Sequence, residues 1–278
     1  WEAIEQMNLG LDASLFNERV NVTLDGYIKK TTKMLVGMDV PIGTGYSDEL
    51  RPPVNAGKME NKGVELTIAS QNVKGALTWN TDFNISYNFN RVISLNDSIP
   101  TPTGSIGLNY TLARLHAGHP MNAFYGFVTD GIFQTQEEVD RHATQVPGAD
   151  PFNRTSPGDI RFKDLNDDGV IDDKDRTYIG NPNPKLILAL NNNFSFKNFD
   201  LSVFLQGVYG NDIFNANRIW AEGMAVAQNQ TTATLDRWTG EGTSNTMPRA
   251  IFNDPNKNTR VSDRYIEDGS YLRIKNVT

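Results

Sequence analysis

The stretch Leu77–Phe89, "LTWNTDFNISYNF", alternates between two kinds of side chain along its length, Thr81 excepted. Leu77, Trp79, Phe83, Ile85, Tyr87 and Phe89 share one parity, and Thr78, Asn80, Asp82, Asn84, Ser86 and Asn88 share the other. Successive residues of a strand point to opposite faces, so this reads as a strand with one apolar and one polar face. Strands of soluble proteins usually run about five or six residues, whereas a tilted strand crossing a bilayer needs about nine to eleven. This one is long enough to span.

The same rhythm recurs outward from it. Met7, Leu9, Leu11, Ala13 and Leu15 alternate with Asn8, Gly10, Asp12 and Ser14. After a turn at Phe16 to Arg19, Val20, Val22, Leu24 and Ile28 oppose Asn21, Thr23, Asp25 and Lys29, which predicts a hairpin. Val64, Leu66 and Ile68 turn through "QNVKGA" into the opening stretch. A third hairpin is predicted from Leu186 to Phe196 and Phe199 to Tyr209, and a last strand begins at Tyr271. The turns at 16–19, 71–76 and 197–198 are tight, while the connections near 30–59, 94–184 and 211–270 are long. Short turns on one side and long loops on the other are the asymmetry of an outer-membrane barrel. Phe16, Trp79, Phe194, Phe196 and Phe199 lie near the short turns, where either an interfacial girdle or a sandwich core would place aromatic rings. In the second long loop, Thr135 followed by Glu138 forms a capping box and predicts a short helix.

Composition narrows the function. The 278 residues carry a net charge of −7 and no cysteine. With a pI near 5.0 and no basic stripe, a nucleic-acid partner is not expected. Disulfides, thiol chemistry and cysteine-ligated zinc are excluded. Mean hydropathy is −0.46 and no run of eighteen apolar residues occurs, which argues against membrane helices but not against a barrel. No charged-then-apolar leader follows Trp1, so a signal peptide is expected to have been removed or to lie outside this chain. His116 and His119, in "LHAGHP", read as a metal pair or as an ordinary loop, and the loop is the reading taken. No triad, P-loop, dinucleotide fingerprint or H-E-x-x-H occurs, and the acids single out no glycosidase pair, so an enzyme is not expected.

One segment departs from the strand pattern. "KDLNDDGVIDDKD", Lys163 to Asp175, packs six aspartates together. Counted from Asp164, side-chain oxygens fall at loop positions one (Asp164), three (Asn166), five (Asp168), nine (Asp172) and twelve (Asp175), with Gly169 at six and the Val170 carbonyl at seven. That spacing suits calcium. Asp rather than Glu at twelve suggests a weaker or more hydrated site, and Pro157, Gly158 and Gly180 to Pro184 rule out an EF-hand's flanking helices. A structural staple is therefore expected rather than a sensor; magnesium fits the same oxygens, and a bare Asp/Gly turn is the alternative. For substrate contact, Phe214, Arg218 and Trp220 in "NDIFNANRIWAE" combine stacking surface with a hydrogen-bonding fork on a long loop, or else simply pack against the next loop.

Six segments carry a family resemblance. They are "NLGLDASLFNERVNVTLDGYIKKTTKML" (8–35), "NAGKMENKGVELTI" (55–68), "FYGFVTDGIFQTQEEVD" (124–140), "PGDIRFKDLNDDGVIDDKDRTYIGNPNPK" (157–185), "GNDIFNANR" (210–218) and "SDRYIEDGSYLRIKNVT" (262–278). In these words and their order the chain resembles the SusC/RagA-like TonB-dependent outer-membrane transporters of Bacteroidota. The resemblance implies an all-β, antiparallel transmembrane barrel of about 22 strands, of which this is a C-terminal part, roughly a third, with the plug absent from this chain. It further implies import of oligosaccharides or oligopeptides through the outer membrane of a Gram-negative cell, energised by the TonB complex and capped by a SusD-like lipoprotein. The competing expectation is a secreted calcium-dependent carbohydrate-binding β-sandwich, with Trp220 or Trp238 stacking on a sugar.

Overall fold

The computed structural model describes residues 1–37, 52–95, 101–105, 111–150 and 153–278. Four long strands come first: β1 (Ala3–Leu15), β2 (Val20–Gly37), β3 (Pro53–Val73) and β4 (Leu77–Ser94). The connection to the next hairpin holds short strands β5 (Thr101–Ser105), β6 (Thr111–Leu115), β7 (Ala123–Gly126) and β8 (Thr129–Ile132), helix α1 (Gln136–Arg141), then β9 (Ile160–Phe162) and β10 (Thr177–Gly180). The hairpin β11 (Leu186–Phe196) and β12 (Phe199–Tyr209) follows. The last long connection holds β13 (Asp212–Phe214), helix α2 (Asn217–Ala221) and β14 (Ile266–Asp268), and β15 (Tyr271–Val277) closes the chain.

Among the described residues, one sheet of seven strands dominates, in the order β1-β2-β3-β4-β11-β12-β15, antiparallel throughout. It is an open wall rather than a closed barrel. The tight turns at one end need left-handed backbone, taken by Phe16, Asn17 and Glu18 in the first and by Lys197 in the last. At the other end β2 and β3 outrun the alternation, reaching Gly37 and starting at Pro53, so the first long connection is narrower than 30–59. The register slips between Thr31 and Met34 beside Lys33 at φ 56, and this bulge breaks the parity on which strand reading depends. Residues 38–51 of that connection lie outside the described part.

Register fixes what each face presents. Leu11, Leu24, Leu66, Ile85, Leu188, Gly207 and Leu272 form one row across the wall, and Leu9, Gly26, Val64, Tyr87 and Leu186 form the next. The opposite face carries Asp12, Thr23, Thr67, Asn84, Ala189, Gln206 and Arg273 in a row, then Gly10, Asp25, Glu65 and Ser86. From Met7 to Leu15 the apolar parity covers about 27 Å of strand, or about 20 Å across a membrane at the usual barrel tilt. On the inner strands Leu24 is 41% exposed and Val64 50%. Among the described residues no second sheet is paired face to face with this one as a β-sandwich would require. A fully buried Leu is worth roughly 1.5–3 kcal/mol, so a face built of them is unfavourable against water.

A conventional core lies instead in the long connections. Ile160, Phe162 and Ile171 are buried with Phe127 and Ala143 packed against them. The two large loops are bonded to each other: Phe127 donates its N–H to the Val261 carbonyl at 2.9 Å, and Asp263 returns its own to the Phe127 carbonyl at 3.0 Å. Beneath them sits a buried polar network. Asp159 takes a bidentate pair from Arg249 (2.9 and 3.0 Å) and further bonds from Asn258 and the Ser156 N–H. Asn256 joins Gln145, Thr155 and Asn258. The predicted helix is present: the Thr135 side chain accepts from the Glu138 N–H, while Glu138 reaches back to the Gln134 N–H, one residue before the cap.

Candidate functional site

The polar face of the wall deepens toward the long loops into a concavity of about 900 Å³. Its floor is set by strand parity: Gln6 and Asn8 on β1, Asp25, Tyr27 and Lys29 on β2, Asn61 and Glu65 on β3, and Asn88 and Asn90 on β4. Asn183 and Lys185, leading into β11, close one side. Tyr27 is held over Gly63 and donates its hydroxyl to Asn88 Oδ1 at 2.6 Å. Asn90 donates to Asn61 Oδ1 at 2.6 Å and accepts from the Met121 N–H at 2.7 Å, which ties the floor to the loops. The site offers amides, two carboxylates and two ammonium groups without a preponderant charge. Pro120, Pro184 and Ile187 add apolar surface, so the lining suits a ligand that both hydrogen-bonds and packs.

The sequence marked Asn80, Asp82, Asn84, Ser86 and Asn88 as the wet face of β4, and register places all five on that face. It did not single out Asp25, Tyr27, Lys29 or Glu65. The parity of β2 and β3 was the available signal, but which of their polar residues meet depends on pairings between residues far apart in sequence.

Of the three loop residues marked for substrate, the structure spreads the roles. Arg218 is committed: Nε and Nη2 donate to the two carboxylate oxygens of Glu222 at 2.9 and 3.1 Å, and Nη1 donates to the Arg264 carbonyl at 2.9 Å. Phe214 packs in an aromatic chain between Phe124 and Tyr265. Trp220 is 46% exposed. Trp238 donates to Gln134 Oε1 and braces the loops.

The aspartate loop is folded around its own backbone. The Gly169 N–H donates to Asp164 Oδ2 at 2.8 Å, the Asp168 N–H to Asn166 Oδ1 at 3.1 Å, and the Val170 N–H to Asp168 Oδ1 at 3.1 Å. Asp175 is fully buried and accepts from the Leu165 and Asp172 N–H groups at 2.9 and 2.8 Å. The Lys174 ammonium stands 3.2 Å from Asp168 and 3.8 Å from Asp172. The Asn166 side-chain amide, donating to Asp168 Oδ2 at 2.9 Å, and then Lys174 hold the Asp168 carboxyl below its ordinary range. Asp164 Oδ1 is the one oxygen of the set that is buried without a hydrogen-bond partner. Among the described residues no three His, Cys, Asp or Glu side chains converge as a metal cage. The flanking segments are β9 and β10, not helices.

His116 and His119 stack on Tyr178, with the His119 ring centroid 3.6 Å from that of Tyr178 and His116 Nδ1 2.5 Å from its hydroxyl. Burial pushes the Tyr178 hydroxyl up to about 12, so it stays protonated. The rings work as packing.

Residues 1–148 match the sequence family described as TonB dependent receptor-like, beta-barrel. The chain belongs to that family. Across its full length it is 33% identical to TonB-dependent receptor P3 of Formosa agariphila and 26% identical to TonB-dependent receptor SusC of Bacteroides thetaiotaomicron. It spans about a quarter of each, 27% and 26%. The structure of the RagAB peptide transporter superposes on the whole chain with a TM-score of 0.75 at 22% identity, covering 28% of that structure's chain, a likeness of fold. A second RagAB structure, described as the peptide importer in the closed-closed state, gives 0.74. The wall is thus a segment of a TonB-dependent receptor barrel, and its curated relatives are named as receptors rather than enzymes.

Proposed function

We propose that this segment forms part of the wall and loop cap of an outer-membrane importer that takes up polar oligomers, oligosaccharide or oligopeptide. The observation that carries the reading is the two-faced sheet: an uncovered apolar side, and a polar side ending in a hydrogen-bonding concavity beneath the loops. Family membership supports energisation through the TonB complex. The SusC and RagAB likenesses support a SusD-like lipoprotein seated on the loops. The amide-rich lining accommodates sugar hydroxyls or peptide groups equally. Mass spectrometry of ligands co-purified with the full-length protein tests the reading: a family of related polar oligomers is expected, depleted when Asn61 and Asn88 are both replaced by Leu. Purification from water without detergent, or an unchanged ligand set, would overturn it.

We also propose that the loop of Asp164, Asn166, Asp168, Val170, Asp172 and Asp175 takes up Ca2+ as a structural staple. Its support is the oxygen spacing and the unsatisfied Asp164 Oδ1. Bound calcium would neutralise the carboxylates and compete with Lys174 for Asp168.

A further inference from the structure

On the membrane side of the wall, Gly26 leaves a dent in the apolar surface of the first four strands. Its neighbours in the row are Leu9 and Val64, with Tyr87 one strand further on. The next row outward is Met7, Ile28, Lys62 and Phe89. Together these enclose a groove of about 460 Å³ whose lining is almost wholly apolar. A Cβ built on Gly26 would meet only the Leu9 carbonyl oxygen, at 3.9 Å, so the glycine is not demanded by crowding. The space is open by the absence of a side chain.

Lys62 is the only charged residue in the groove's lining. Its ammonium lies 5.1 Å from the Phe89 ring centroid, its ion pair with Glu60 is long at 3.8 Å, and its side chain is 51% exposed. One row further toward the long loops, register sets Glu5, Lys30, Glu60 and Arg91 side by side. The apolar surface therefore stops at Lys62 and a charged belt begins. In a barrel wall that change marks the boundary between hydrocarbon and headgroups. An occupant of the groove must have methylene chains along Leu9, Val64 and Tyr87, and an anion at its outer end to meet Lys62. The belt itself carries two cations and two carboxylates, so the attraction is centred on Lys62 rather than diffuse.

We propose that this groove is a binding site for a phosphorylated lipid of the outer membrane, with an acyl chain in the Gly26 dent and its phosphate on Lys62. The proposal rests on the membrane-wall reading above. The apolar groove alone would not favour one lipid over bulk, because lipid tails gain little by exchanging one apolar surface for another. Shape at Gly26 and charge at Lys62 are what select.

Native mass spectrometry of the full-length protein in detergent, titrated with monophosphorylated lipid A and with its dephosphorylated form, tests this. The phosphorylated form is expected to bind with about fivefold preference, the effect of one lysine at a headgroup. Lys62→Gln should bring the preference near unity, and Gly26→Leu should remove retention of both forms. Heat-modifiable mobility on gels confirms that each variant is folded, and Lys62, being exposed, is replaceable without loss of the barrel. Equal binding of the two forms by the unaltered protein, or retention unaffected by Gly26→Leu, would overturn the site. So would a lipid-free dimer that Gly26→Leu dissociates, which would make a second copy the occupant. If the protein needs no detergent, the wall reading fails; if it needs detergent but retains no lipid, the groove proposal alone fails.

Discussion

The Tyr27 hydroxyl donates to Asn88 Oδ1 at 2.6 Å, reaching from β2 to β4 across the strand between them. The ring crosses where Gly63 has no side chain; a Cβ there would lie 2.7 Å from Tyr27 Cε1, 2.6 Å from the Tyr87 carbonyl oxygen and 3.0 Å from Asn88 Oδ1. Three strands are clamped by one residue, and the same ring forms part of the floor of the lumenal concavity. Structure and site therefore share a residue.

Gly63→Ala should accordingly destabilise more than a strand alanine usually does, since backbone as well as side chain must shift. A loss of about 1–3 kcal/mol is expected from overpacking, read from urea unfolding of the full-length protein in detergent. Tyr27→Phe, which keeps the ring and removes the hydroxyl, should cost about 1 kcal/mol. Equal stability of Gly63→Ala and the parent would show that the ring does not need the gap.

Asp159 and Arg249 fasten the two large loops. Asp159 is fully buried, so removing its partner strands a charge, with a cost of about 3–5 kcal/mol. Arg249→Leu should therefore open the loops to limited proteolysis near Gly148 and Asn153 while leaving the strands protected. Wild-type cleavage rates in the variant would contradict the fastening role.

Acid should loosen the histidine stack. Burial, then His116 and then Arg91, hold the His119 ring below its usual 6.5. A folded-state value below the unfolded one means the neutral ring is favoured in the fold. Stability from this group is thus intact above the unfolded value and falls as the pH drops from there toward the folded one. Proteolysis in the 111–121 segment should rise between pH 7.5 and pH 5, and His119→Asn should flatten the rise. A pH-independent rate in the parent protein would remove the stack from consideration.

At the aspartate loop, Lys174→Gln should raise calcium affinity, because the ammonium paired with Asp168 and Asp172 is the competitor. Asp164→Asn should lower it. Equilibrium dialysis with radioactive calcium measures both, and chelation should increase proteolysis around Asp167 without melting the barrel. No bound calcium in the unaltered full-length protein would leave the loop as a backbone-capped turn.

Much of the wall was legible in the residues alone. Parity along Met7 to Leu15, Leu77 to Phe89 and Leu186 to Tyr209 sets which side chains share a face, because the two-residue period is a property of the strand itself. The tight turns, and the helix begun at Thr135, are equally local. What the sequence could not supply was the pairing of distant partners. That Leu186 lies beside Tyr87, that Tyr27 finds Asn88, and that Arg218 spends its fork on Glu222 depend on register and on loops folding together. Alternation determined that one face is apolar and the other wet. Only the tertiary structure decided which residues converge into a concavity, a fastening or a groove, because those contacts arise between segments whose relative placement no local period encodes.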